Sequence, residues 1–226
     1  MIENIKNNID FFLRNLTKFS RKNYVEKNYE IIKANNARNM YMYDILFRYF
    51  KQTTQKDKVK LLDIGCKNWY YAKGQYDFLK SFCPVFQMDG VEVDAYRLYA
   101  NFYSRYEVAK YYIKNLENTN YINDDLLNIK EKYDYITWFL PFVTIKPLKI
   151  WGLPMKYFCP EKMLNHAYFL LKSKGQMLIV NQGEKEVLIQ KELLEKLELE
   201  YDYLGEIKSD FFEYANKRFG FLISKD

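Results

Sequence analysis

The sequence is poor in the residues that most often mark a reactive site. It has a single histidine, His166, and three cysteines at positions 66, 83 and 159. One histidine excludes a cluster of several histidine ligands, and the cysteines lack the Cys-x-x-Cys spacing of a structural zinc site. Their odd number, with nothing in Met1-Ile2-Glu3-Asn4 that reads as a signal peptide, leads one to expect a reducing, cytoplasmic setting. No run approaches the ~18 apolar residues that a membrane span requires. Residues 1–56 contain neither glycine nor proline, which suits helix. Four of the five prolines, at 141, 147, 154 and 160, fall within twenty residues.

What is present points to a folded domain. Hydrophobic residues make up 49% of the chain and charged residues 28%, the balance of a globular protein able to bury a core without disulfides. The length, 226 residues, fits one large domain or a domain with a small extension. The 42 aromatic residues accompany abundant Lys, Asn and Ile, so they read mainly as AT-rich codon usage. The formal charge of +6 is uneven: residues 1–60 carry a net +7 and residues 61–226 a net −1.

Ile2, Ile5, Ile9, Phe12, Leu13 and Leu16 recur at helical steps, and a break at 20–23 follows. A second helix is expected over about 25–52, with Tyr29, Ile32, Met40, Tyr43, Leu46 and Phe47 facing inward. Residues 1–56 thus form a helical extension, and 57–226 a separate domain. From Val59 onward, short apolar runs alternate with helical text. Strands are expected at 59–65, 87–93, 121–122, 133–139 and 176–180. Helices are expected at 74–82, 95–116, 160–172 (opened by Pro160 and stopped at Lys174-Gly175) and 184–198. Two closing strands, about 201–208 and 217–224, have no helix between them and should pair antiparallel. Alternation of this kind predicts an α/β fold with a mainly parallel sheet covered on both faces. Ligands bind such sheets at the C-terminal strand ends, where the proline-rich connection 141–160 also starts.

Strand one ends Leu61-Leu62-Asp63-Ile64-Gly65-Cys66, and strand two ends with Glu92. A glycine turn followed some 27 residues later by a carboxylate suits a nucleoside, because the carboxylate can accept hydrogen bonds from both ribose hydroxyls. The chain lacks the Gly-x-Gly-x-x-Gly of a dinucleotide site, which argues against NAD or FAD.

With these residues in place, the chain resembles the class I S-adenosylmethionine-dependent methyltransferases. Leu61–Gly65 resembles their motif I, and Gly90-Val91-Glu92-Val93-Asp94 their second-strand motif with its ribose-binding acid. Asn123-Asp124-Asp125-Leu126-Leu127 is similar to the acidic turn that meets adenine. Tyr133-Asp134-Tyr135-Ile136 resembles the opening of strand four, and Leu170–Gln176 the turn into strand five. The resemblance implies a Rossmann-like sandwich with strand order 3-2-1-4-5-7-6 and an antiparallel seventh strand. It implies S-adenosyl-L-methionine as cofactor, with Asp63, Gly65, Cys66, Lys67, Glu92, Val93, Asp124, Asp125, Leu126 and Trp138 as its binding residues. Tyr70, Trp138 and Phe139 are candidates to face a sulfonium.

Two departures stand out. Lys67 and Trp69 occupy positions where the family places further glycines. Phe139-Leu140-Pro141-Phe142 replaces the Asn-Pro-Pro-Tyr-type motif of enzymes that methylate base amino groups, so such acceptors are disfavoured. The expected substrate is a small molecule, and the resemblance implies that residues 1–56 act as a lid over its pocket. RNA bound through the basic N-terminal helices, or a non-catalytic binding module, are the alternatives; no catalytic residue and no metal are assigned. Oligomeric state is left open.

Overall fold

Among the described residues, seven strands build one sheet. The computed structural model describes residues 29–52 and 58–226, with side chains from residue 35 onward. The stripe from Ile2 to Leu16 and the break at 20–23 lie outside the described residues.

The strands are β1 (Val59–Ile64), β2 (Phe86–Val91), β3 (Thr119–Ile122), β4 (Tyr133–Phe139), β5 (Leu171–Gln182), β6 (Asp202–Glu206) and β7 (Arg218–Ser224). Their order is β3-β2-β1-β4-β5-β7-β6, with β7 antiparallel to both neighbours and the rest parallel. The fold is the expected Rossmann-like, class I methyltransferase sheet. The helices are α1 (Tyr29–Tyr49), α2 (Ala72–Phe82), α3 (Arg105–Ile113), α4 (Ile145–Ile150), α5 (Pro160–Leu170) and α6 (Gly183–Lys196). None of them is long and apolar enough to cross a membrane.

Alternation along the strands feeds two cores. Leu61, Met88, Tyr135 and Leu178 point to a core shared with α1 and α2, where Ile45, Leu46, Phe50 and Phe78 are buried. Leu62, Ile136, Met177 and Ile179 point to the other face, against Leu164, Leu170, Val187 and Leu194 from α5 and α6. α1 is bound closely to the first core. Gly74 sits where a Cβ would lie 2.1 Å from the Asn39 carbonyl oxygen, so only glycine admits this approach of α2 to α1. The Gly74 amide donates to Asn39 Oδ1 at 2.8 Å. Beyond α1, the Lys51 amide donates to Gln176 Oε1 and its carbonyl accepts from the Tyr135 hydroxyl, both at 2.8 Å.

Three expectations are corrected and a fourth is filled in. The buried face of α1 carries Tyr41, Met42, Ile45 and, as expected, Leu46, while Met40 and Phe47 are half exposed and Tyr29 and Ile32 lie outside the described side chains. The Asp44–Arg48 ion pair shares the side of Met40 and Phe47 and turns that side to solvent. The helix expected from residue 95 starts at Arg105, because Ser104 and Glu107 form a capping box. α5 ends at Leu170 and β5 starts at Leu171. Gly175 is therefore not a helix stop; its missing Cβ avoids the carbonyls of Lys172 and Asp134 at 2.8 and 3.0 Å. Finally, the proline-rich connection contains α4, where Pro147 falls in the first turn and forfeits no helical hydrogen bond.

Candidate functional site

The C-terminal ends of β1, β2, β4 and β5 open into a cavity of ≈ 630 Å³, a size usual for small-molecule sites. Gly65, Lys67, Glu92, Val93, Asp124, Asp125, Leu126 and Trp138 all line it. Asp63 and Cys66, also expected there, do not line it; both are fully buried behind the loop.

The loop after β1 keeps a glycine-type backbone without the glycines. Gly65, Lys67 and Trp69 have φ of +68°, +58° and +47°, and for the two L-residues this left-handed region costs roughly 1–2 kcal/mol each. Three sets of contacts hold it. The amides of Gly65 and Cys66 donate to the Val91 carbonyl at 2.9 and 3.3 Å. The Lys67 amide donates to Glu92 Oε2 at 2.9 Å, and its carbonyl accepts from the Tyr121 hydroxyl. Trp69 is buried and donates through Nε1 to Gln75 Oε1 at 2.7 Å. With these amides consumed, the loop does not form a phosphate cradle. No atom lies within 4 Å of a Cβ placed on Gly65, so its backbone faces open space.

Behind the loop runs a buried chain. Gln75 Nε2 donates to Thr137 Oγ1 at 3.0 Å, and Thr137 donates to Asp63 Oδ1 at 2.7 Å. Burial pushes the Asp63 carboxyl up to about 7, with Thr137 and Tyr71 opposing the rise. Cys66 Sγ packs on Gly90, where a Cβ would lie 2.9 Å from it. Burial raises its thiol well above the ordinary range, which makes it inert.

Glu92, 7% exposed, is the best-held acid of the site. Besides the Lys67 amide it accepts from the Asp94 amide at 2.8 Å, and Arg105 lies 3.7 Å away. Arg105 also pairs with Asp94 at 3.2 Å. Asp125 caps the short 3₁₀ turn Leu126–Asn128 through Leu127 N at 3.0 Å, while Asp124 accepts from Asp125 N and Asn128 Nδ2 at 2.7 Å. Tyr70, Trp138 and Phe139 line the cavity as well. His166 does not; its Nε2 lies 3.0 Å from the Ile129 carbonyl.

Several lining residues were not singled out by the sequence. Phe142, Ile150 and Trp151 come from the proline-rich connection, Tyr41 from α1, Glu186 from α6, and Tyr214 and Arg218 from the end of the chain. The Trp151 ring lies 4.5 Å from the Arg105 guanidinium and 4.9 Å from Lys67 Nζ. Desolvation and the nearby Arg105 lower the Lys67 pKa. The crowded prolines did mark the connection, but nothing local distinguishes a lining tryptophan from a core one.

No protein-family model matches the chain, and no curated protein matches it in sequence. Solved structures do match in fold. An S-adenosylmethionine-dependent methyltransferase from Aquifex aeolicus aligns over 87% of this chain and 97% of its own at 13% identity, with a TM-score of 0.59. Magnesium protoporphyrin IX methyltransferase from Synechocystis, with bound S-adenosylmethionine, aligns over 95% and 90% at 10% identity, with a TM-score of 0.52. A precorrin-6y C5,15-methyltransferase from Geobacter metallireducens aligns over 93% and 95% at 11% identity, also at 0.52. The chain has the fold of the class I S-adenosylmethionine-dependent methyltransferases.

Proposed function

We propose that this protein is an S-adenosylmethionine-dependent methyltransferase acting on a small molecule. The observation that carries the reading is the pairing of Glu92 with the open backbone of Gly65 on one cavity. A carboxylate at the end of β2 suits a ribose diol, and a loop whose amides are consumed suits a cofactor without phosphates. Asp125 and Leu126 would hold the adenine side, and the loop backbone at Lys67, rather than its ammonium, would flank the amino-acid portion. The bound cofactor supplies a methyl group on a sulfonium, open to in-line attack by an acceptor atom. This chain contributes position, which can account for much of the acceleration in such transfers. It also contributes the aromatic faces of Tyr70, Trp138 and Phe139, each worth roughly 0.5–2 kcal/mol to a cation.

In this reading residues 1–56 are an extension of the 57–226 domain, and two of its described residues, Tyr41 and Met42, wall one side of the cavity. The aromatic lining favours a small acceptor over RNA, and the three free cysteines suit a cytoplasmic setting. Calorimetry with S-adenosylhomocysteine is the test. Binding in the micromolar range is expected, weakened more than tenfold by Glu92→Ala. No binding at millimolar concentration would remove the enzyme reading and leave a non-catalytic module.

A further inference from the structure

The cavity has a second end. Arg218 opens β7 and pairs in register with Gln182 at the end of β5. In the sheet it stands three strands from β1, about 14 Å at the usual strand spacing. Arg218 and the Gly65–Glu92 pair therefore face one cavity from opposite sides.

Among the described residues, no ion pair reaches this guanidinium. Its Cζ lies 4.7 Å from the Tyr214 ring centroid, and its Nη1 is buried without a hydrogen-bond partner among the described residues. Glu186 on α6 acts on Arg218 electrostatically, but its Oε2 accepts from the Gln182 amide at 2.9 Å and it forms no ion pair within 4 Å of Arg218. A second donor shares the condition. Tyr41, 2% exposed, lines the same cavity, and its hydroxyl is also buried and unpartnered among the described residues. Its ring meets Tyr214 edge-on at 5.2 Å. Burying a polar group unpaired costs roughly 1–3 kcal/mol, more when it is charged. Two such donors on one cavity wall make a site that an anion would complete.

We propose that Arg218 and the Tyr41 hydroxyl bind an anionic group of the methyl acceptor, a carboxylate or phosphate monoester on a small molecule whose apolar body packs against Tyr70 and Tyr214. The proposal rests on the methyltransferase reading for the word acceptor, but the anion site itself does not depend on it.

The test is calorimetric titration of benzoate, phenylacetate and phenyl phosphate, with benzamide as the neutral control, into the full chain with and without S-adenosylhomocysteine. At least one acid is expected to bind tenfold or more tighter than benzamide. The carboxylates and the phosphate ester then show which anion is preferred. Arg218→Gln should reduce that acid to the level of the amide, Arg218→Lys should restore part of the difference, and Tyr41→Phe should weaken it several-fold. Affinity for S-adenosylhomocysteine should stay within threefold in all three variants. Acids that bind no better than benzamide, or as well to Arg218→Gln, overturn the proposal. Parallel loss of S-adenosylhomocysteine also overturns it, because Arg218 would then hold the cofactor. If Arg218→Gln does not fold, Arg218→Lys and Tyr41→Phe decide on the same criteria. If the wild type binds acid but no S-adenosylhomocysteine, the methyltransferase reading fails while the anion site stands.

Discussion

The Arg105 guanidinium lies 4.5 Å from the centre of the Trp151 ring, and Lys67 Nζ lies 4.9 Å from the same ring. One indole thus meets two cations, and Arg97 holds its backbone by donating to the Trp151 carbonyl. The proline-rich connection is fastened in this way above the Glu92 side of the cavity. Trp151→Ala removes two cation–π contacts of roughly 0.5–2 kcal/mol each. Faster proteolytic cleavage within residues 141–159 and several-fold weaker S-adenosylhomocysteine binding are expected, with an unchanged circular dichroism spectrum. A cleavage rate equal to that of the wild type would show that the ring does not fasten the connection.

Lys67→Gly tests whether the loop needs a side chain or only a shape. The backbone already sits at φ +58°, so glycine relieves strain while adding freedom to the unfolded chain, and the two effects nearly offset. Melting temperature should change little, and S-adenosylhomocysteine affinity should stay within threefold. A tenfold loss would place the lysine ammonium on the cofactor.

Asp63 gives the protein a pH-dependent stability of definite sign. Its folded pKa, about 7, lies above the ordinary carboxylate value. Between about pH 4 and 7 the folded state therefore holds a proton that the unfolded state has released, and stability falls as pH rises through this window. Asp63→Asn keeps an acceptor for Thr137 and removes the titration. The melting temperature of the variant minus that of wild type should grow from pH 4 to pH 7 and then level off. A constant difference across that range would contradict a raised Asp63.

Gly74→Ala would drive a methyl to within 2.1 Å of the Asn39 carbonyl oxygen. α1 or α2 must then shift, at about 1–3 kcal/mol for an overpacked contact. A melting temperature lower by several degrees is expected in thermal denaturation. No drop would mean that α1 does not pack closely at this point.

The parts of the fold legible in the sequence are those set by local pattern. Asp63-Ile64-Gly65 and Glu92 could be read because a strand end needs a turn residue and a ribose needs an acid. The sheet order followed from resemblance, since strand pairing is not written in any single strand. The inner face of α1 was misread because residues 40–50 are apolar almost all round, and only the Asp44–Arg48 pair orients them. The start of α3 is written in the capping box of Ser104 and Glu107, which cuts short the helix expected from residue 95. Arg218 could not have been found this way. What singles it out is its place on one cavity with Tyr41, 177 residues earlier.

α1 and its exit are tied at two places, Asn39 to Gly74 and Tyr70, and Lys51 to Tyr135 and Gln176. Anchored in this manner, α1 is a fixed side of the cavity. The rims at the two ends are built differently, from the connection held by cations beside Glu92 and from the aromatic turn beside Arg218 that carries Phe212 and Tyr214. A change made at one rim need not reach the other, because the side between them is pinned.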